Sequence, residues 1–179
     1  MALITPVAPE NAEGIVKEGY EMFIKNVGTI PKPMQLLSAS PALFELQLNR
    51  IRYFGKHPKL SFALLAHIRY LAAHTLDYPY CIDFNRQFLK KLGNDDDTIR
   101  AMENDPGKSM LEPHESAMLD FVICSMKKPG SITAADISKL KELGWEERDM
   151  VDALSQGVSM IDHAIMMQVF QIDQNCLLG

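Results

Sequence analysis

The composition predicts a globular protein and argues against two classes of partner. The chain has 179 residues, which suits one domain able to bury roughly 70% of its unfolded surface without disulfides or a metal. Its net charge of −5 argues against nucleic-acid binding, because proteins that bind phosphate backbones usually carry a basic stripe. No segment reaches the roughly 18 consecutive apolar residues of a membrane span. We therefore expect one domain over residues 1–179, with neither a membrane nor a nucleic acid as partner.

Three cysteines, Cys81, Cys124 and Cys176, form an odd and sparse set. The first residues contain no basic segment followed by an apolar run, so we expect no signal peptide. Both features favour a reducing, cytoplasmic compartment. The histidines and cysteines form no close ligand pairs, so the sequence predicts no metal site and no cofactor.

Helical periodicity runs through almost the whole sequence, while strand signals are absent, which predicts an all-α protein. The first helix is predicted over Pro9–Asn26, with Ile15, Gly19, Met22 and Phe23 on its inward face. A stiff extended connector is expected from Thr29 to Pro33. Further helices are predicted over Pro41–Phe54, Lys59–Leu76, Pro79–Leu92, Asp96–Met102, Glu112–Met126, Thr133–Leu143 and Glu146–Asp173.

The helix predicted over Lys59–Leu76 is apolar on all sides, which indicates a buried, central helix. His67 and His74 lie seven residues apart on it and are expected to share a face. Each is either a satisfied core histidine or an acid/base group, and the same alternatives apply to His163 in the last helix.

The last predicted helix is unusually long and carries an apolar three–four repeat. Its members are Val151, Leu154, Val158, Ile161, Ile165 and Ile172. This spacing is typical of a packed helical hairpin or of a seam between subunits.

Cys81 lies where one helix is predicted to end and another to begin. Pro79 favours the first turn of a helix, which places Cys81 beside unpaired backbone N–H groups. These groups are expected to lower the thiol pKa by about one unit, while Asp77 and Asp83 oppose that effect. Cys81 is therefore either a reactive thiol or a buried cysteine that packs as a small apolar residue.

The stretch Leu60–Gly93, with Tyr78-Pro-Tyr-Cys81 between two helices, resembles the core of the alkylhydroperoxidase D / carboxymuconolactone decarboxylase superfamily. Other matching segments are similar to its peroxidase-related branch, namely Gly28–Pro31, Ser40-Pro41, Glu115–Phe121 and Leu143–Trp145. The resemblance implies an all-α bundle of about seven to nine helices with a long C-terminal helix. It also implies a homo-oligomer, as a dimer, trimer or hexamer.

In that family's peroxidases the second cysteine of Cys-x-x-Cys attacks the hydroperoxide, and the first resolves it as a disulfide. A glutamate and two histidines form the proton relay. The resemblance aligns Cys81 with the second cysteine, Tyr78 with the first, Tyr80 with the intervening histidine and Asn85 with the later one. The glutamate position falls near Ala66 or His67. The disulfide relay is therefore not intact.

Three functions remain open from the sequence. The first is an oxidoreductase that uses Cys81 on a hydroperoxide, with His74 or His67 assisting proton transfer and an external thiol restoring the cysteine. The second is acid/base chemistry on a lactone or carboxylated substrate through His67, His74 and His163, with Tyr78 or Tyr80 at an oxyanion. The third is a non-catalytic oligomer that binds a small apolar ligand.

Overall fold

A computed structural model describes residues 2–172, and within that range the protein is helical and contains no strand. The α-helices of this range are α1 Gly14–Val27, α2 Lys32–Leu37, α3 Pro41–Phe54, α4 Phe62–Thr75, α5 Pro79–Lys91, α6 Asp96–Asn104, α7 Pro113–Lys127, α8 Ala134–Glu142 and α9 Glu147–Val169. The predicted all-α class, with seven to nine helices and a long last one, is confirmed. The predicted end at Asp173 and Cys176 lie outside the described residues.

The described chain divides into two compact units, one formed by residues 2–57 with 165–172 and the other by Pro58–Ala164. The expectation of one domain over residues 1–179 stays a prediction. No helix among residues 2–172 is long and apolar enough to cross a membrane.

The first unit has its core between α1, α2 and α3. Its buried side chains include Val16, Tyr20, Phe23, Met34, Phe44 and Leu48. A Cβ atom at Gly19 would overlap the ring of Phe44, so the missing side chain is what lets α1 approach α3 this closely.

Three predictions for the first unit were wrong. Pro9–Asn11 forms only a 3₁₀ turn, and α1 begins at Gly14, because Ala12 is extended and Gly14 has a φ of +51°. On α1, Gly19 and Phe23 are buried as predicted, but Val16 and Tyr20 complete the buried stripe in place of Ile15 and Met22, which lie at its edge. The connector is extended only to Pro31, since α2 begins at Lys32 and tolerates Pro33 in its first turn.

The second unit is centred on α4, as the sequence predicts. Leu64, Leu65, Ala66, Ile68, Leu71 and Ala72 are all buried. The helix begins at Phe62 rather than Lys59, because the Ser61 hydroxyl caps it by accepting a hydrogen bond from the Leu64 amide at 3.0 Å. Phe62 is an exception to the buried character of the helix, since it is 55% exposed.

Two further features of this unit follow sequence signals. The capping box at the start of α8 is confirmed, with the Thr133 amide donating to Asp136 Oδ2 at 2.8 Å. On α9, a Cβ atom at Gly157 would lie 2.8 Å from both Met126 Sδ and Val122 Cγ1. The absence of a side chain at Gly157 therefore allows α9 to pack directly on α7.

Candidate functional site

Cys81 is the third residue of α5, immediately after a sharp break in the chain. α4 ends at Thr75, Asp77 takes a left-handed φ of +48°, and Tyr78 is extended. Pro79 then occupies the first position of α5, where its missing N–H costs no hydrogen bond. The predicted position of Cys81 in the first turn of a helix is confirmed.

The expected activation of the thiol is not found. Cys81 is only 2% exposed, and its Sγ atom makes no hydrogen bond to any described residue. Burial raises the pKa of Cys81 to about 12. The helix N-terminus is worth about one pKa unit in the opposite direction, so desolvation is the larger effect. At pH 7 only about one thiol in 10⁵ is ionised.

Tyr78 lies beside this thiol with an unused hydroxyl. Its side chain is buried, and its phenolic oxygen has no hydrogen-bond partner among the described residues. Burial raises the pKa of Tyr78 to about 12, and the charge of an ionised Cys81 adds to that rise. An ionised Cys81 would therefore oppose ionisation of Tyr78, and Tyr78 keeps its proton available to a bound oxygen atom.

Asn85 and Tyr80, which the resemblance aligns with two histidines, form no hydrogen bond with the Cys81 thiol. Asn85 is buried, and its Nδ2 atom donates to the Cys81 backbone carbonyl at 2.8 Å. Its Oδ1 atom accepts a hydrogen bond from Arg69 Nε at 3.2 Å. The Tyr80 ring is buried and stacks on Phe84 with 5.9 Å between ring centroids. Asn85 therefore ties the backbone of the first turn of α5 to Arg69 on α4.

His67 is a core residue. Its Nδ1 atom lies 2.8 Å from the Ala63 carbonyl oxygen, which can only accept, so Nδ1 carries the proton. Its Nε2 atom and the Oδ1 atom of Asn94 are both fully buried, and neither has a partner within hydrogen-bond distance among the described residues. Burial lowers the pKa of His67, while the bond to Ala63 and the nearby Asn94 and Glu115 side chains oppose that shift. His67 is therefore neutral at pH 7.

His74 lies at the surface, so of the two alternatives for this residue the core histidine is excluded. The His74 side chain is 44% exposed, and its Nε2 atom lies 3.7 Å from Glu103 Oε2 on α6. The other oxygen of Glu103 accepts a hydrogen bond from the buried Tyr70 hydroxyl. His67 and His74 lie seven residues apart and therefore on the same face of α4. The last turn of α4 nevertheless lies at the protein surface, where Glu103 is the partner of His74.

Sequence reasoning missed this cluster of Tyr70, His74 and Glu103. The spacing of Tyr70 and His74, one helical turn apart on α4, was the only available signal. Glu103 lies on a different helix, and its approach depends on how α6 packs.

The two remaining candidates lie on α9 and α7. His163 is half-buried on α9, and its part in the site stays a prediction. Cys124 is exposed on α7, with its Sγ atom 3.6 Å from Asp120 Oδ1, and burial together with the Asp120 charge raises its pKa. Cys81 and Cys124 are free thiols. No group of three potential metal ligands occurs within residues 2–172.

Several solved structures share this fold at low sequence identity. A peroxidase-related protein from Silicibacter sp. TM1040 is 15% identical, with a TM-score of 0.78 over 97% of this chain and 89% of that one. An alkylhydroperoxidase AhpD core, a peroxidase-related protein from Ralstonia eutropha JMP134, is 16% identical, with a TM-score of 0.75 over 97% and 95%. The debrominase Bmp8, as a cysteine-to-alanine variant in complex with 2,3,4-tribromopyrrole, is 12% identical, with a TM-score of 0.78 over 98% and 93%.

No sequence model of a protein family and no curated protein matches the chain. The structural likeness establishes the fold, and it confirms the all-α architecture that the resemblance around Cys81 implied.

Proposed function

We propose that this chain, which has the alkylhydroperoxidase D-like fold, is a single-cysteine oxidoreductase that reduces a hydroperoxide slowly. The observation that carries the proposal is the pairing of a lone thiol, Cys81, with the unpartnered hydroxyl of Tyr78 in a buried site. The peroxidase-related names of two structural neighbours support the same class of reaction.

In the proposed reaction the Cys81 thiolate attacks the terminal oxygen of the hydroperoxide. The S–O bond forms as the O–O bond breaks, so Cys81 becomes a sulfenic acid and the alcohol leaves. Tyr78 donates a hydrogen bond to the departing oxygen, which takes up the proton that the thiol has lost. Tyr78 would then replace the charged relay of the family with a neutral donor.

Regeneration requires a thiol from outside the chain. Cys124 is the other free cysteine in the described range, and it lies on the exposed side of α7. Two molecules of an external thiol would return Cys81 to its reduced form, releasing water and an external disulfide. Such a cycle fits a reducing compartment, and we propose the cytoplasm.

The test compares Cys81→Ser with Cys124→Ser, the matched control. The parent and the control should consume cumene hydroperoxide in the presence of a small thiol and should give a dimedone-labelled sulfenic acid. Cys81→Ser should do neither. Equal consumption by the Cys81→Ser variant and the parent would refute the proposal.

A second candidate is a small-molecule-binding protein without redox chemistry. It is favoured by the 2% exposure of Cys81 and by the absence of any hydrogen bond to its Sγ atom within residues 2–172. Hydroperoxide consumption by the parent no faster than in a protein-free control at any pH would favour this candidate. The acid/base hypothesis gains no support, since His67 is buried in the core while His74 pairs with Glu103 at the surface.

We also propose that the protein assembles with further copies of itself through α9. Val151 and Val158 lie seven residues apart on α9 and are 67% and 45% exposed, with Leu154 half-buried between them. A seven-residue apolar repeat presents one stripe to a partner helix. Light scattering at micromolar concentration should report an oligomer for the parent and a smaller species for Val158→Glu. A monomeric parent would contradict the proposal.

A further inference from the structure

Arg69 on α4 is a cation without an ionic partner among the described residues. Its Nε atom donates to the neutral Asn85 Oδ1 at 3.2 Å, and no carboxylate forms an ion pair with it. Its desolvated position lowers the pKa of Arg69 to about 10, so the guanidinium stays charged at pH 7. Arg69 is half-buried, and a partly desolvated charge without a counter-ion is stabilised when an anion binds beside it.

The surroundings of the Arg69 guanidinium are aromatic. Its central carbon lies 5.7 Å from the Phe62 ring centroid and 5.9 Å from that of Phe88. The two rings contact each other edge to face, with 5.9 Å between centroids. Cation–π attraction offsets part of the desolvation cost without neutralising the charge. Lys91, whose Nζ atom is 5.9 Å from the Phe88 centroid, adds positive potential nearby.

The donor groups of Arg69 remain available to a ligand. Its two terminal nitrogens donate to no described residue, and neither belongs to the fully enclosed polar atoms that lack a partner. These nitrogens therefore reach solvent. A guanidinium can bind a carboxylate through two parallel N–H···O bonds, and Asn85 holds the third nitrogen in place.

We infer that Arg69 binds the carboxylate of a small aryl carboxylate whose ring packs on Phe62. The ligand must combine a negative charge with a planar apolar ring, because the site presents the Arg69 guanidinium beside the exposed Phe62 ring. Asn85 connects this site to Cys81, since it accepts from Arg69 and donates to the Cys81 carbonyl. The inference goes beyond the proposed redox function and does not depend on it.

Isothermal titration with 2-naphthoate tests the site, with methyl 2-naphthoate as the uncharged counterpart. The acid should bind the parent saturably, and the ester at least tenfold more weakly. Arg69→Gln should weaken binding of the acid at least tenfold, because a pair of charge-assisted hydrogen bonds is lost. Arg100→Gln, which removes an exposed arginine paired with Asp97 on α6, is the matched control and should bind as the parent does.

Phe62→Ala provides a second variant. It should fold as the parent does, because the Phe62 side chain is 55% exposed and contributes little to the core. It should weaken 2-naphthoate binding several-fold and leave the circular dichroism spectrum unchanged. The inference fails if 2-naphthoate shows no saturable binding to the parent up to millimolar concentration. Equal affinity of Arg69→Gln and the parent, or of the ester and the acid, would also overturn it.

Discussion

Two buried tyrosines in the second unit have opposite surroundings. Tyr70 on α4 donates its hydroxyl proton to Glu103, whose carboxylate also approaches the exposed His74. Tyr78, just before α5, has a hydroxyl that no described residue contacts by a hydrogen bond, and it lies beside the un-ionised Cys81. Among the described residues, the Tyr78 hydroxyl and the Cys81 thiol thus lack hydrogen-bond partners, whereas Tyr70 and Glu103 form a hydrogen bond between α4 and α6.

The largest expected effect is the pH dependence of hydroperoxide consumption by Cys81, the neighbour of Tyr78. Because burial raises the pKa of Cys81 to about 12, the thiolate fraction should grow tenfold with each pH unit below that value. Hydroperoxide consumption by the parent should therefore rise about 100-fold between pH 7 and pH 9. A stopped-flow rate profile that levels off below pH 8 would show that the thiol is activated.

Tyr70→Phe should lower the free energy of unfolding by about 1–3 kcal/mol. The substitution leaves a partly buried carboxylate without its hydrogen-bond donor while removing little volume. Urea denaturation measures the change. A variant as stable as the parent would mean that Glu103 finds a replacement donor and that the cluster contributes little.

His67 should make the free energy of unfolding depend on pH below 6.5, with a slope of about 1 kcal/mol per pH unit. Since burial lowers its pKa in the folded state below the ordinary value of 6.5, the unfolded chain binds the proton more readily. The stability that His67 contributes is therefore present above pH 6.5 and is lost as the pH falls toward the folded-state pKa. His67→Gln should lose less stability than the parent between pH 7 and pH 5. Parallel stability curves for the two proteins would contradict this assignment.

Tyr78→Phe should raise the free energy of unfolding by less than about 1 kcal/mol, because the lost hydroxyl has no partner among the described residues. The same variant should slow hydroperoxide consumption if Tyr78 donates to the leaving oxygen. Destabilisation comparable to that of Tyr70→Phe would reveal a hydrogen bond at Tyr78 and would remove the contrast between the two tyrosines.

Local signals in the sequence were enough to place Cys81. Pro79 fixes the start of α5, and the apolar residues of α4 identify its central position, so both helices and the break between them could be predicted. The capping box at Thr133 is equally local. The start of α1 was missed because Gly14 takes a left-handed conformation that a glycine permits but does not require.

The chemistry of the site could not be read from the same signals. The pKa of Cys81 depends on how much apolar material surrounds the sulfur, and this is a property of packing between helices. The approach of Glu103 to Tyr70, and that of Asn85 to Arg69, each join residues on different helices. Periodicity assigns a residue to a helix face, but it does not identify the residue that meets it from another helix.

The close packing at Gly157 fixes the register of α9 on α7. Met126 and Val122 leave no room for a side chain at this point, and the flanking residues Gln156 and Val158 both carry one. A slip of α9 by one residue would drive one of these side chains into α7. An insertion or deletion within α9 upstream of Gly157 should therefore disrupt the packing of α9 on α7, whatever ligand or partner the protein binds.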